Sequence, residues 1–134
     1  MPLHLNRTAT AMTLVVQLFG ATSVSAASDL QALWRLDQID GTPVAAMVTL
    51  DLTEQGRIAG QGPCNRYSGE NQAALPALRV AALISTKMAC PDLTLETVYF
   101  TALTAATAAT LGKDDLLVVT GDGAGSLIFV RTPE

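Results

Sequence analysis

Residues that could carry chemistry are scarce in this chain of 134 residues, which has a single histidine. Because His4 lies at the N terminus, the rest of the chain has no Ser-His or Cys-His nucleophile pair and no zinc site of the usual type with histidine ligands. Asp114 and Asp115 adjoin a predicted strand, where neighbouring side chains point to opposite faces, and we interpret them as solvated charges. Glu96 falls in the first turn of a predicted helix, where the helix dipole favours a negative charge. We therefore predict that the protein is not an enzyme and needs no cofactor or metal.

The glycine-rich corner, residues 60–69, has the sequence GQGPCNRYSG, in which three glycines accompany Pro63, Cys64 and Asn65. These residue types favour turns, so we predict a sharp bend of the backbone here and not the interior of a strand or helix. A phosphate-binding loop would need a helix or a Lys-Ser/Thr pair after the glycines, and neither follows. The glycine-rich corner is therefore predicted to shape the backbone.

Cys64 and Cys90 are the two cysteines of the chain, and they are not in a C-x-x-C arrangement. If the domain is exported, as residues 1–26 predict, an even count of cysteines usually means a disulfide, which would stabilise this fold by about 3 to 4 kcal/mol. Two alternatives stay open. The cysteines could be free buried thiols, or they could have redox or metal chemistry, with Lys87 or Arg66 lowering the pKa of a thiol.

Residues 1–26 have the layout of a secretory signal peptide. A short start without acidic residues precedes a mostly apolar run, residues 11–22, and small residues follow as Val24-Ser25-Ala26. We predict cleavage after Ala26, which leaves a mature domain of residues 27–134 in the periplasm or outside the cell. The apolar run is too short to span a bilayer, and no cysteine is present at the cleavage site to carry a lipid anchor.

The charge of the mature domain narrows the classes of partner. Cleavage would remove Arg7, which leaves seven basic residues against twelve acidic ones and moves the formal net charge from −4 to −5. No basic cluster is present in the sequence, so nucleic acid and anionic membrane surfaces are poor candidates. We expect a monomer without a membrane span, whose partner is another protein or a component of the envelope.

Period-two patterns of apolar residues predict about seven short strands. They cover residues 33–40, 44–52, 57–60, 66–68, 77–84, 116–120 and 126–131. In the first of them, Ile39 is out of step with Trp34 and Leu36, which indicates a bulge near Asp37.

One helix is predicted between Asp92 or Thr94, which can cap its start, and Gly112, which can end it. Its apolar face is formed by Leu95, Val98, Tyr99, Ala102, Leu103 and Ala106. These positions fall on one stripe of a helix with 3.6 residues per turn. The elements together predict an α+β fold that is mostly β, with one helix before a C-terminal hairpin.

Several segments taken together resemble the META domain family of HslJ-like bacterial proteins. They are Trp34-x-Leu36, residues 41–44, the glycine-rich corner, residues 85–90, and a helix that carries Glu96 and Phe100. The resemblance covers about residues 30–131, while Pro63 and Glu70 depart from the family pattern. It implies a strongly bent antiparallel sheet that approaches a small barrel, with the helix packed against it. It also implies a place in the bacterial envelope and a link to stress response and secretion, and it carries over no catalytic residue.

We therefore predict an exported, non-enzymatic envelope domain that binds a protein or an envelope component in a stress- or secretion-related role. Its predicted contact surface is formed by Asn65, Arg66, Tyr67 and Lys87. A shaped loop there is combined with Tyr and Arg, which favour interfaces. An inhibitor of an envelope hydrolase would be a special case of this function.

The alternative is a thiol-redox or metal-handling protein that uses Cys64 and Cys90, with Met88 close in sequence. A reversible disulfide of moderate potential would favour this alternative, whereas a pair that resists mild reduction would favour a structural role.

Overall fold

The computed structural model describes Val15 and residues 23–133. Most of the predicted signal peptide, residues 1–26, therefore lies outside the described residues, and its cleavage stays a prediction. Helix α1 spans Ser23–Leu30 and helix α2 spans Leu93–Ala105. Neither helix has the length and apolar character that a membrane span requires.

Nine strands form one antiparallel sheet within residues 23–133. In chain order they are β1 (Leu33–Ile39), β2 (Thr42–Pro43), β3 (Thr49–Asp51), β4 (Arg57–Gln61), β5 (Arg66–Asn71), β6 (Val80–Ser85), β7 (Ala108–Leu111), β8 (Leu117–Gly121) and β9 (Ala124–Arg131). Their order across the sheet is β6-β5-β4-β3-β1-β9-β8-β7, and β2 pairs with β1. A short 3₁₀ turn, Lys113–Asp115, joins β7 to β8.

The sheet curls strongly into a half-barrel, and the segment before β6 meets β7. Leu78 donates its N–H to the carbonyl of Thr107, and Ala109 donates its N–H to the carbonyl of Pro76, both at 2.8 Å. Helix α2 packs against β6, β8 and β9. The predicted fold is therefore confirmed: a bent, mostly β sheet that approaches a barrel, with one main helix packed against it.

Strand β1 contributes to the centre of the core, and its bulge decides which side chains enter it. The pairing of β1 with β9 shifts register between Leu36 and Gln38, where the sequence indicates a bulge. The shift brings Ile39 to the buried side of the sheet together with Trp34 and Leu36. The indole N–H of Trp34 then donates to the Leu30 carbonyl at 3.0 Å, which satisfies the polar atom of this buried side chain.

The strand predicted at residues 44–52 is shorter than its sequence pattern indicates. Only Thr49–Asp51 is a regular strand, β3, although Val48, Leu50 and Leu52 are buried as the alternation predicts. The pattern thus identified the buried face correctly. It could not show how many residues find a partner strand, because hydrogen bonding depends on the neighbouring segment.

The glycine-rich corner contains parts of two paired strands and the turn between them. The prediction that none of its residues lies in the interior of a strand is therefore wrong. Strand β4 continues to Gln61 and β5 begins at Arg66, which leaves residues 62–65 as the turn, called here the β4–β5 turn. Gly69 lies inside β5, where an added Cβ would stand 2.7 Å from the Ala82 carbonyl oxygen. Glycine is needed here for close approach of two strands as much as for bending.

Helix α2 ends at Ala105, and the predicted end at Gly112 is wrong. Ala106 has extended backbone angles, and residues 108–111 form β7. The Thr107 N–H donates to the carbonyl of Thr120 at 2.8 Å, and β7 then pairs with β8 along its whole length. Alanine favours helices, but pairing with β8 outweighs that preference.

Cys64 and Cys90 form a disulfide, which confirms the predicted pairing. Their Cα atoms are 5.8 Å apart, and the bond joins the β4–β5 turn to the segment between β6 and α2. The described residues contain no free cysteine, so the alternative of two free thiols is wrong.

Replacing both Cys64 and Cys90 with serine is expected to lower the free energy of unfolding by about 3 to 4 kcal/mol, because the restraint on the unfolded chain is lost. Urea unfolding of the oxidised wild type and of the double variant measures the difference. A dithiol reductant should bring the wild type to the stability of the variant and leave the variant unchanged. Equal unfolding midpoints for oxidised wild type and variant would contradict this structural role.

Candidate functional site

The β4–β5 turn is closed by a hydrogen bond from the Gly62 N–H to the Asn65 carbonyl, at 2.8 Å. Gly62 is buried, and an added Cβ would stand 2.9 Å from both the Asn65 carbonyl oxygen and Glu96 Oε2. A side chain there would push the turn away from helix α2. The absence of a side chain at Gly62 therefore lets the first turns of α2 reach the backbone of this loop.

The carboxylate of Glu96 is the centre of this contact. Its Oε2 accepts the backbone N–H groups of Cys64 and Asn65, each at 2.7 Å, and its Oε1 accepts Asn65 Nδ2, also at 2.7 Å. Only 5% of Glu96 is exposed. Two successive backbone amides that point at one oxygen form an anion-binding concavity, and here its occupant is a side chain of the same protein.

Asn65 connects three segments through its side-chain amide and is only 2% exposed. Its Nδ2 donates to Glu96 Oε1 and to the Met88 carbonyl, the latter at 3.1 Å. Its Oδ1 accepts the Met88 N–H at 2.7 Å and the Thr86 hydroxyl at 3.0 Å. Both donors and both lone pairs of the amide are thus used. Asn65 therefore joins the β4–β5 turn, the segment after β6, and α2.

Glu96 is ionised at neutral pH despite its burial. Desolvation raises the pKa of the carboxyl, but hydrogen bonds from the Asn65 side chain and from the backbone of Asn65 and Cys64 lower it, and the charge of Lys87 also lowers it. The lowering effects are larger, so the pKa lies below the ordinary value of 4.5. The negative charge is stabilised by the fold, and its acceptor atoms are already engaged.

Two tyrosines continue the polar cluster into the core. The Tyr67 hydroxyl is 2.7 Å from the Thr49 carbonyl and 2.6 Å from the Tyr99 hydroxyl. A carbonyl can only accept, so Tyr67 donates to Thr49 and Tyr99 donates to Tyr67. Desolvation by burial raises the pKa of both phenols, so both stay neutral across the physiological range. Neither is set up to exchange a proton near neutral pH.

Of the four residues predicted to form a contact surface, two are buried. Asn65 and Tyr67 are turned into the protein by the hydrogen bonds above, and Tyr67 is 3% exposed. The prediction that their side chains meet a partner is therefore wrong. Arg66 and Lys87 are exposed, and a contact role for them stays a prediction.

The role of Glu96 was missed in the sequence, although a signal for it was present. The helix dipole favours a negative charge at this position in the first helical turn but does not account for the burial of the side chain. Yet Glu96 lies three residues before Tyr99 and seven before Leu103, so all three share the stripe that packs inward. Val98, predicted on the buried face, is exposed instead. A carboxylate on the buried stripe of a helix is the feature that should indicate a polar partner.

The part of the chain that the structure describes contains no preassembled metal site. No group of three or more His, Cys, Asp or Glu side chains within residues 23–133 is arranged to hold a metal ion.

Comparison with known proteins gives one family and two related structures. The sequence model of the META domain family matches residues 28–134. An NMR structure of a protein from Burkholderia xenovorans is 25% identical, with a TM-score of 0.60, over 97% of this chain and 100% of that chain. A second NMR structure is also 25% identical, with a TM-score of 0.61, over 78% of this chain and 93% of that chain. No curated protein matches.

Glu96→Gln is expected to lower the free energy of unfolding at pH 7 by about 3 kcal/mol, because it removes a charged acceptor from three buried donors. Since the carboxyl pKa is lower in the folded protein, wild-type stability from this group is present above about pH 4.5 and is lost as pH falls through the folded value. Urea unfolding between pH 7 and pH 3 should therefore show a shallower acid dependence for the variant. Glu54→Gln, at an exposed carboxylate, is the control. Parallel pH profiles for wild type and Glu96→Gln would contradict this account.

Tyr67→Phe is expected to destabilise the protein more than Tyr99→Phe. The first change removes the donor to Thr49 and the acceptor of the Tyr99 hydroxyl, at a cost of about 2 to 3 kcal/mol, whereas the second removes one hydrogen bond, at about 1 kcal/mol. Chemical unfolding of both variants at pH 7 measures the order. The reverse order would contradict the assignment of two hydrogen bonds to the Tyr67 hydroxyl and one to the Tyr99 hydroxyl.

Proposed function

The chain belongs to the META domain family, and from this membership we propose that it is an exported, non-enzymatic envelope domain that binds a protein or an envelope component. The family resemblance stated from the sequence is confirmed. Family membership supports an envelope-type domain that is generally not catalytic. Export, the partner and a stress- or secretion-related role are proposals that go further.

One observation carries the non-enzymatic part of the proposal. Glu96 is the only buried carboxylate within residues 23–133, and a buried carboxylate is the usual starting point for a general acid or base. Here its oxygens are engaged by three N–H groups of the β4–β5 turn, and its pKa is lowered. A carboxylate that is held ionised and hydrogen-bonded on both oxygens is suited to a structural role, because a general base needs a free lone pair near the substrate.

Binding is the function that the exposed residues beside this cluster support. Arg66 and Lys87 extend from a backbone that the disulfide and the Asn65 amide hold in place. Side chains on a fixed backbone lose less freedom on binding than those on a mobile loop. We infer that the partner meets the protein on this side of the sheet.

The alternative use of Cys64 and Cys90 in thiol-redox or metal chemistry is less well supported. The same residue whose sulfur forms the disulfide, Cys64, also donates its backbone N–H to Glu96, so its position serves the fold. Opening of the bond would remove the covalent link between the β4–β5 turn, which carries that contact, and the segment before α2.

The proposal is tested by site-specific photo-cross-linking in the native host. A photoreactive residue at position 66 or 87 is expected to capture an envelope protein or cell-wall component, whereas the same residue at exposed position 113 is expected to capture much less. The protein is isolated from the envelope fraction, and its mass should lack residues 1–26. Equal capture at all three positions, or an unprocessed protein in the cytoplasm, would contradict the proposal.

A further inference from the structure

The last two residues of β6 and the three that follow form a ridge, residues 84–88, with an exposed apolar side chain at each end. Ile84 is 76% exposed and Met88 is 62% exposed. Single exposed apolar residues are common, but here two of them flank Lys87 within five residues. An apolar centre with a polar rim is the usual arrangement of a protein interface, and Met is one of the residue types enriched there.

Two grooves adjoin the ridge and share Ser85 and Thr86 in their linings. The first has a volume of about 340 Å³ and is lined in part by Met88, Leu93 and Phe100. The second has a volume of about 400 Å³ and is lined in part by Ile84 and Arg66. Volumes of this size lie at the lower end of the range of ligand pockets and have room for one or two side chains of a partner segment.

Hydrogen bonds restrain the backbone of the ridge. Ile84 pairs with Ser68 of β5, and the Thr86 N–H donates to the Arg66 carbonyl at 3.1 Å. The backbone N–H and carbonyl of Met88 are both bonded to the Asn65 side chain. Such preorganisation favours affinity, because little conformational freedom is left to lose on binding.

The exposed charged side chains in the linings of the two grooves are all basic, although the whole chain has a formal net charge of −4. The charged residues in their linings are Arg57, Arg66 and Lys87, and the carboxylate of Glu96, which is buried and compensated by hydrogen bonds. Arg57 is paired with Glu54 at 3.3 Å. Arg66 and Lys87 have no ion pair within residues 23–133. The charge of Lys87 also acts on the buried Glu96 carboxylate, so Arg66 is the basic residue whose charge is most fully left for a partner.

We propose that the ridge docks a short acidic segment of another protein, with one or two apolar side chains of that segment against Ile84 and Met88 and its carboxylates near Arg66 and Lys87. The inference rests on the proposed binding function and names the chemistry of the partner. Two unpaired basic side chains suit a peptide, whereas stable attachment to anionic lipid takes a cluster of about four to eight. The shape of the grooves and the charges of Arg66 and Lys87 would together determine which segments bind.

The test selects short random peptides from a display library against the full-length oxidised protein. We expect the enriched peptides to be acidic and to contain Leu, Ile, Phe or Met. The most enriched peptide, labelled with a fluorophore, should bind more weakly at high salt and about tenfold more weakly to Arg66→Glu. Lys87→Gln removes a basic side chain without adding a negative charge near Glu96, and it should weaken binding less than Arg66→Glu does. Lys113→Glu, which reverses an exposed charge on the turn between β7 and β8, is the matched control and should bind as the wild type does.

One further variant, and the position of Arg66, keep the test independent of folding. Met88→Ser should weaken the same peptide without changing any charge, while thermal unfolding confirms that the variant is folded. Arg66→Glu is a charge reversal at a residue outside the hydrogen bonds of Glu96, so its effect on binding is separate from the stability of that cluster.

Enrichment of basic or neutral peptides, equal binding to Arg66→Glu and wild type, or no enrichment would overturn the inference. Binding to vesicles of equal parts phosphatidylglycerol and phosphatidylcholine, lost in Arg66→Glu while no peptide binds, would replace the peptide by a lipid surface. The two proposals can also be told apart. If positions 66 and 87 capture an envelope component in cells but the selection enriches basic peptides, the proposed function stands and the acidic partner is rejected.

Discussion

The contact between the Glu96 carboxylate and the β4–β5 turn is the interaction on which the described structure most depends. A charge out of water is costly by several kcal/mol unless it is hydrogen-bonded, and here three N–H groups surround it. The partners come from a strand hairpin and the carboxylate from a helix, so the bond fixes the distance between the sheet and α2. Gly62 is required at this point because a side chain would stand between them.

The surface that we propose for binding follows from that contact. Asn65 supplies a backbone N–H to Glu96 and a side-chain amide to Met88, so the same residue orders the interior cluster and the exposed ridge. The disulfide adds a covalent link between the same two segments. A partner would therefore meet a surface whose shape is set by buried hydrogen bonds and the disulfide. Substitutions in the buried cluster should alter the conformation of the ridge even though no ridge residue is replaced.

The fold class, the bulge in β1 and the cysteine pairing could be predicted from the sequence. Their signals are the periodicity of apolar residues, the change of phase at Ile39 and the presence of two cysteines. It did not predict the side-chain directions of Asn65, Tyr67 and Glu96. Polar residues in a loop or a first helical turn usually face water, and only the facing segment decides otherwise. Strand β7 was not predicted for a related reason. Its residues, Ala108–Leu111, show no regular alternation of apolar and polar side chains, and they form a strand because they pair with β8.

The most direct test of this account is an NMR titration of the Glu96 carboxyl carbon in the oxidised protein, followed together with the amide protons of Cys64 and Asn65. The account predicts a pKa below 4.5 and a shift of both amide protons at the same midpoint, because they are bonded to the titrating oxygen. A pKa at or above 4.5, or amide protons that do not respond, would contradict the claim that this carboxylate joins α2 to the β4–β5 turn.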